Sequence, residues 1–132
     1  MQMTIDFPGG SRVDAHFGPF TVATDQLPEA GAPSPFAMFL ASIGTCAGIY
    51  VLGFCQRRGL PTEGLKITET THAGADGMVD RIDLDVQLPA DFPEKYREAV
   101  VRAADQCTVK KHLMHPPAIG ITTHVLEPAQ AG

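Results

Sequence analysis

The chain has 132 residues, a net charge of −5 at neutral pH and a pI near 5.4. This length fits one domain with a limited core, so residues 1–132 are interpreted as a single domain. The acidic balance and the lack of a basic face argue against a nucleic-acid partner.

The first 25 residues are predicted to form short strands separated by turns. Gly9-Gly10 and Gly18-Pro19 provide the turns between β-prone segments. The predicted strands cover residues 4–7, 12–17 and 20–24. Residues 27–33 follow as a predicted loop.

A long uncharged segment, from position 35 to position 55, is the next feature. Ser34-Pro35 is a helix cap followed by proline, and Gly59 comes after Arg57 and Arg58 as a C-terminal signal. A segment of about 20 apolar residues is long enough to span a membrane. Its internal glycines and its soluble-type caps favour a core helix, and its position is too far along the chain for a signal peptide.

A helix that is apolar on every side needs cover on every side. A domain of this size provides little cover of its own, so we expect the helix to pair with its copy in a homodimer. Small residues at Ala41, Gly44, Thr45 and Gly48 would let two helices approach closely. The alternative is that these residues accommodate a sheet of the same chain.

The remaining sequence predicts a hairpin, two short helices and a last strand. Residues 65–73 and 79–88 alternate in polarity around a turn, which is typical of an antiparallel hairpin with one buried face. Helices are predicted at residues 93–104 and 108–114, and a final strand at residues 118–126. This order indicates an α+β fold with antiparallel sheets and a long buried central helix.

Three cysteines carry most of the functional information, and their odd number favours a reducing, cytoplasmic compartment. Cys46 and Cys55 lie on opposite sides of one predicted helix, about 13 Å apart along its axis, so they cannot pair. Cys55 is interpreted as a packing residue. Cys107 lies where a short helix begins, which would stabilise its thiolate. If the fold brings Cys107 beside Cys46, the two form a candidate redox pair; otherwise both are buried and inert.

Two motifs surround the candidate redox pair. One is Ser34-Pro35-Phe36 followed by Leu40-Ala41-Ser42-Ile43-Gly44-Thr45-Cys46. The other is Cys107-Thr108-Val109 followed by a short helix and Pro116. In this order and spacing the two motifs resemble those of the OsmC/Ohr family, and the chain resembles the OsmC-like branch more than the hydroperoxide-resistance proteins themselves.

The resemblance implies an intertwined homodimer with cysteine sites at the interface. It also implies peroxidase chemistry on organic hydroperoxides, with a role in oxidative stress defence. In that scheme Cys46 attacks the peroxide and becomes a sulfenic acid, Cys107 resolves it as a disulfide, and an external dithiol reduces the disulfide. No cofactor is implied.

The sequence departs from the family pattern at Phe36, where peroxidatic members carry a glutamate that pairs with an arginine. Arg12 is the best match for that arginine; the alternative is a routine surface residue. Without it, burial would raise the pKa of Cys46 and suppress its reactivity. Phe36, and with it Phe39, is predicted to make the mouth of the site apolar and to contact a bulky substrate.

Two other interpretations remain. The first is a non-catalytic protein that binds an apolar small molecule or a thiol compound in the interface cavity. The second is a metal site made of Cys107, His112 and His115, but a structural zinc site needs four ligands and the sequence offers no fourth. We therefore predict no metal, no membrane association and no nucleic-acid partner.

Overall fold

The computed structural model describes residues 1–26 and 31–128 and confirms the α+β class. The predicted loop at residues 27–33 lies outside the described residues except for its last three positions. Both sheets are antiparallel. A three-stranded sheet contains β1 (Thr4–Gly9), β2 (Arg12–Phe17) and β3 (Phe20–Asp25), and a hairpin contains β4 (Lys66–Ala73) and β5 (Val79–Gln87). The helices are α1 (Pro35–Arg57), α2 (Arg97–Asp105) and α3 (Thr108–Met114).

Helix α1 begins and ends where its capping residues predict. The Ser34 hydroxyl accepts a hydrogen bond from the Ala37 amide, and Pro35 occupies the first helical position. After Arg58 the chain turns at Gly59, whose φ of 62° is in the left-handed region that glycine adopts at low cost.

One side of α1 forms the core of the chain. Val51 and Cys55 are fully buried there, and Phe54 is almost fully buried. They pack against Val100 of α2 and against partly buried side chains of the hairpin and of the segment before α2. Phe54 also meets the Tyr96 ring edge-on, with ring centroids 6.2 Å apart. These contacts bury apolar area, which is the main driving force for folding.

The opposite side of α1 is open within one chain. Ile49 is 70% exposed and Leu52 is 40% exposed. The prediction of a buried central helix therefore holds for one side only. By length and composition α1 is also apolar and long enough to cross a membrane, and in this chain it packs against α2 and the hairpin.

Two predicted elements differ from the structure. The helix expected at residues 93–104 starts as a 3-10 turn (Glu94–Tyr96) and becomes α-helical only from Arg97. The prediction of a strand at residues 118–126 is wrong, because those residues have no regular structure and are exposed. A strand needs a hydrogen-bonded neighbour, and no strand of the described chain pairs with this segment.

Candidate functional site

Cys46 lies in α1 and Cys107 lies at the start of α3, and these two helices contact each other. Cys46 is half-buried near the middle of α1. Cys107 is 2% exposed and caps the N-terminus of α3, where its sulfur accepts a hydrogen bond from the Lys110 amide over 3.4 Å. Helices α1 and α3 pack against each other, so the cap of α3 faces α1.

The structure brings these two thiols together and makes them unequal. Burial raises the pKa of Cys46, but the Val109 amide, the Cys107 thiol and the Thr108 amide together outweigh it and lower that pKa. The expectation that the start of α3 would stabilise the Cys107 thiolate is wrong, because burial and the neighbouring Cys46 raise the Cys107 pKa despite the Lys110 and Val109 amides. Cys46 is therefore the thiol that loses its proton more readily, and the thiolate is the nucleophilic form of a cysteine.

Cys55 has a different environment on the other side of α1. Its side chain is fully buried in the core. Burial raises its pKa, and the positive charge of Arg58 only partly opposes that effect. It fits the packing role predicted for it, since a neutral buried thiol behaves as a small hydrophobic group.

Phe36 and Phe39 lie together at the start of α1. Their rings stack with centroids 5.7 Å apart, and the side chains are 53% and 39% exposed. With Leu40, Met78 and Ile82 they line a pocket of about 450 Å³. Phe39 precedes Cys46 by seven positions, so the two share one face of the helix about 10 Å apart along its axis.

A second apolar pocket, of about 320 Å³, adjoins Cys107. Ile82 lines this pocket as well as the one at the two phenylalanines, so the two pockets are neighbours across β5. Ile43, Ala47, Leu84 and Leu113 complete most of its wall. The surroundings of the thiol pair therefore favour an apolar ligand.

Arg12 is not joined to the thiol pair by any hydrogen bond or ion pair among the described residues. Its guanidinium contacts the carboxylate of Asp14 on the same strand, at 2.8 Å. Asp14 is 6% exposed, and a buried carboxylate needs such a partner. Within one chain, Arg12 therefore pairs with Asp14 and not with a residue near the start of α1.

Among the described residues, one group of ligand-type side chains lies close enough together to hold a metal ion, and it does not include Cys107, His112 or His115. His112 is instead bonded to the Thr108 carbonyl through Nδ1, at 2.8 Å. Three ligand-type side chains approach within 4.8 Å of one another elsewhere, at Asp6, Asp14 and His16. The ion pair of Asp14 with Arg12 already neutralises part of that cluster.

Near the thiols, the sequence interpretation missed Tyr50 and gave Thr108 and Val109 no role beyond their place in a motif. The Tyr50 hydroxyl forms a hydrogen bond of 2.8 Å with the Thr108 hydroxyl. The backbone amides of Val109 and Thr108 are two of the groups that lower the pKa of Cys46. The helical spacing of four residues from Cys46 to Tyr50 was a usable signal for Tyr50, because such residues share a face. No sequence pattern shows that the amides after Cys107 would reach Cys46, since that depends on how α3 docks.

Solved structures with the same fold share little sequence with this chain. A protein of Psychrobacter arcticus named for osmotic stress induction and a detoxification response has a TM-score of 0.70, with 17% identity over 84% of this chain and 86% of its own. An OsmC-like protein of Mycoplasma pneumoniae has a TM-score of 0.70 and 17% identity, covering 87% of each chain. A hypothetical protein of Aquifex aeolicus has a TM-score of 0.70 and 14% identity, covering 87% of each chain.

Among curated protein sequences, none is similar enough to this chain to count as a match. The family model described as OsmC-like protein does match, over residues 28–122. That segment contains α1, the hairpin, α2, α3 and both thiols of the site. The solved structures agree with this match in fold. The chain therefore belongs to the OsmC-like protein family.

Proposed function

We propose that this protein is a thiol peroxidase that reduces organic hydroperoxides with Cys46 and Cys107, as part of oxidative stress defence. The observation that carries the proposal is the packing of α1 against α3, which places Cys46, with its lowered pKa, beside Cys107, whose pKa is raised. A thiolate attacks a peroxide, and a neighbouring thiol can then trap the product. Family membership supports the fold, while the reaction itself is inferred from the two thiols of the site.

The reaction has three balanced steps. The Cys46 thiolate attacks the terminal oxygen of the hydroperoxide, the O–O bond breaks, and a proton converts the leaving alkoxide into an alcohol. The resulting Cys46 sulfenic acid is attacked by the Cys107 sulfur, which forms a disulfide and releases water. An external dithiol then reduces this disulfide by exchange and is itself oxidised to a disulfide.

The unequal pKa values of the two thiols support this division of roles. Cys46 is the more readily ionised, which suits the attacking group. Cys107 keeps its proton until Cys46 has reacted, and once the negative charge on Cys46 is gone, one influence that raises the Cys107 pKa disappears. The order of events therefore follows from the mutual influence of two neighbouring thiols.

The substrate we propose is an apolar hydroperoxide. The pockets at Phe36 and Phe39 and beside Cys107 are apolar and adjoin each other at Ile82. Their combined shape suits an alkyl or aryl group better than hydrogen peroxide, since apolar surface attracts apolar ligands.

We also propose that the protein acts as a cytoplasmic homodimer. The open side of α1 exposes Ile49, and the segment after α3 exposes Ile119, Ile121 and Val125, each more than four-fifths exposed. No part of the described chain covers these three side chains, and a second copy of the chain would bury them. Removing residues 116–132 should convert the dimer to monomers in sedimentation experiments, and an unchanged dimer would contradict this arrangement.

Peroxide consumption with cumene hydroperoxide and excess dithiol tests the enzyme proposal. We expect Cys46→Ser to abolish turnover, and Cys107→Ser to leave a sulfenic acid that reacts with dimedone. Cys55→Ala is the matched control, because it removes a thiol from the core away from the pair without burying a polar group, and it should keep turnover. Equal rates for the native protein and Cys46→Ser would reject the proposal. If neither protein consumes the hydroperoxide but the native protein binds it intact, the result favours the alternative, a non-catalytic protein that binds an apolar molecule.

A further inference from the structure

A hydrogen bond between side chains joins α1 to the start of α3 beside the thiol pair. Tyr50 Oη and Thr108 Oγ1 are 2.8 Å apart, although the residues are 58 positions apart in the chain. Tyr50 follows Cys46 by one helical turn and shares its face of α1. Thr108 follows Cys107 directly and is the first residue of α3.

We propose that Tyr50 is a positioning residue: its hydrogen bond to Thr108 holds the first turn of α3 so that the Thr108 and Val109 amides face the Cys46 sulfur. The inference rests on the proposed role of Cys46 as the reactive thiol. It adds a side chain that the two cysteine motifs do not contain.

The bond constrains the amides because it acts on the residue that carries one of them. Both amides act on Cys46, and they belong to Thr108 and to the next residue. Amide hydrogen bonds to sulfur depend on distance and angle, so a small displacement of the first turn of α3 weakens them. A hydrogen bond to the side chain of Thr108 is therefore well placed to limit that displacement.

Two polar side chains of α3, those of Lys110 and His112, have partners other than the thiols. The Lys110 ammonium pairs with the carboxylate of Asp105, and His112 bonds to the Thr108 carbonyl through Nδ1. On α1 no charged residue occurs between positions 35 and 55. Burial raises the pKa of Cys46, and the Val109 amide, the Cys107 thiol and the Thr108 amide lower it, so a displacement of the two amides changes how readily Cys46 ionises.

The chain offers matched variants for a test. Tyr50→Phe removes one hydroxyl of the bond, and Thr108→Val removes the other while keeping a branched side chain. Thr108→Ser keeps the hydroxyl and serves as the conservative variant. Tyr96→Phe removes the hydroxyl of the other tyrosine, which packs against Phe54 in the core.

The measurement is the rate at which iodoacetamide alkylates Cys46, followed by mass spectrometry across a range of pH. We expect Tyr50→Phe and Thr108→Val to move the midpoint to higher pH and to slow alkylation at neutral pH by about threefold, the size expected for one weakened hydrogen bond. The double variant should show no more than either single change, and Thr108→Ser and Tyr96→Phe should match the native profile.

A native profile in Tyr50→Phe would overturn the inference, as would an equal displacement of the profile in Tyr96→Phe. The assay needs no peroxide and no turnover. If the protein fails to reduce hydroperoxides but the profile still moves as expected, the proposed function fails while the role of Tyr50 stands. Circular dichroism of each variant checks that α-helical content is unchanged.

Discussion

The two sides of helix α1 hold two cysteines in opposite chemical states. Cys55 faces the core, where burial raises its pKa and no solvent reaches it. Cys46 faces the start of α3, where two amides and a second thiol lower its pKa. The residues have the same side chain on the same helix, so the difference comes from what packs against each side.

The comparison shows that burial alone does not decide whether a thiol is reactive. Desolvation is the largest single influence on all three cysteines and raises the pKa in each case. Only Cys46 has enough hydrogen-bond donors around its sulfur to reverse that effect. A thiolate is stabilised where donors face it, and a thiol without them stays neutral.

The largest expected effect comes from removing a large side chain on the core side. Phe54→Ala should lower the free energy of unfolding by roughly 3–5 kcal/mol, because Phe54 packs against Tyr96 and the core cluster. Phe36→Ala, on an exposed ring, should change it by less than about 0.5 kcal/mol. Urea denaturation of both variants measures the difference, and similar losses would mean that the exposed start of α1 is as tightly packed as the core.

A second prediction concerns the reactivity of the two thiols in the native protein. Cys46 should be alkylated about a hundredfold faster than Cys55 at neutral pH, because its thiolate is both favoured and accessible. Since the pKa of Cys46 is lowered, its rate should rise with pH and level off at a lower pH than that of a free cysteine. In denaturant the two rates should become equal. Equal rates in the folded protein would contradict the asymmetry.

The smallest expected effect concerns two glycines of α1 that face β4. A Cβ added at Gly48 would make only an ordinary contact with Ile67, at 3.8 Å, so Gly48→Ala should stabilise the helix by about 1 kcal/mol. A Cβ at Gly44 would come within 2.5 Å of Glu69 Oε1, so Gly44→Ala must displace that carboxylate and should gain less. Thermal unfolding at one protein concentration compares the two.

The background variant Glu69→Ala isolates the cause. With the carboxylate removed, Gly44→Ala should stabilise the protein as much as Gly48→Ala does. If Gly44→Ala is still less stabilising than Gly48→Ala in the Glu69→Ala background, the conflict with Glu69 is not the reason for the difference.

Local patterns predicted much of the fold because their physical signals are local. The caps around Ser34 and Gly59 set the limits of α1. Alternating polarity predicted the hairpin, and the structure pairs Ile67 with Val86 across it. Residues 118–126 carry the same alternation, yet they form no strand in the described chain, because a strand also needs a neighbour that local sequence cannot provide.

The site was predictable only in part. The motifs drew attention to Cys46 and Cys107, but sequence distance gave no measure of their separation in space. For Arg12, the family pattern suggested a partner near Phe36, whereas the strand register places Asp14 within reach on the same face of β2. That choice follows from the alternation of side chains along a strand.

The sequence by itself determined the long apolar helix, the antiparallel hairpin and the identity of the cysteines, since periodicity and capping act over a few neighbouring residues. Only the tertiary structure decided which thiol is acidic. The pKa of Cys46 depends on amides that follow Cys107, more than 60 positions away in the chain, and on the docking of α3 that aims them. Electrostatic and hydrogen-bond effects of this kind depend on distance in space, so they arise only when the chain has folded.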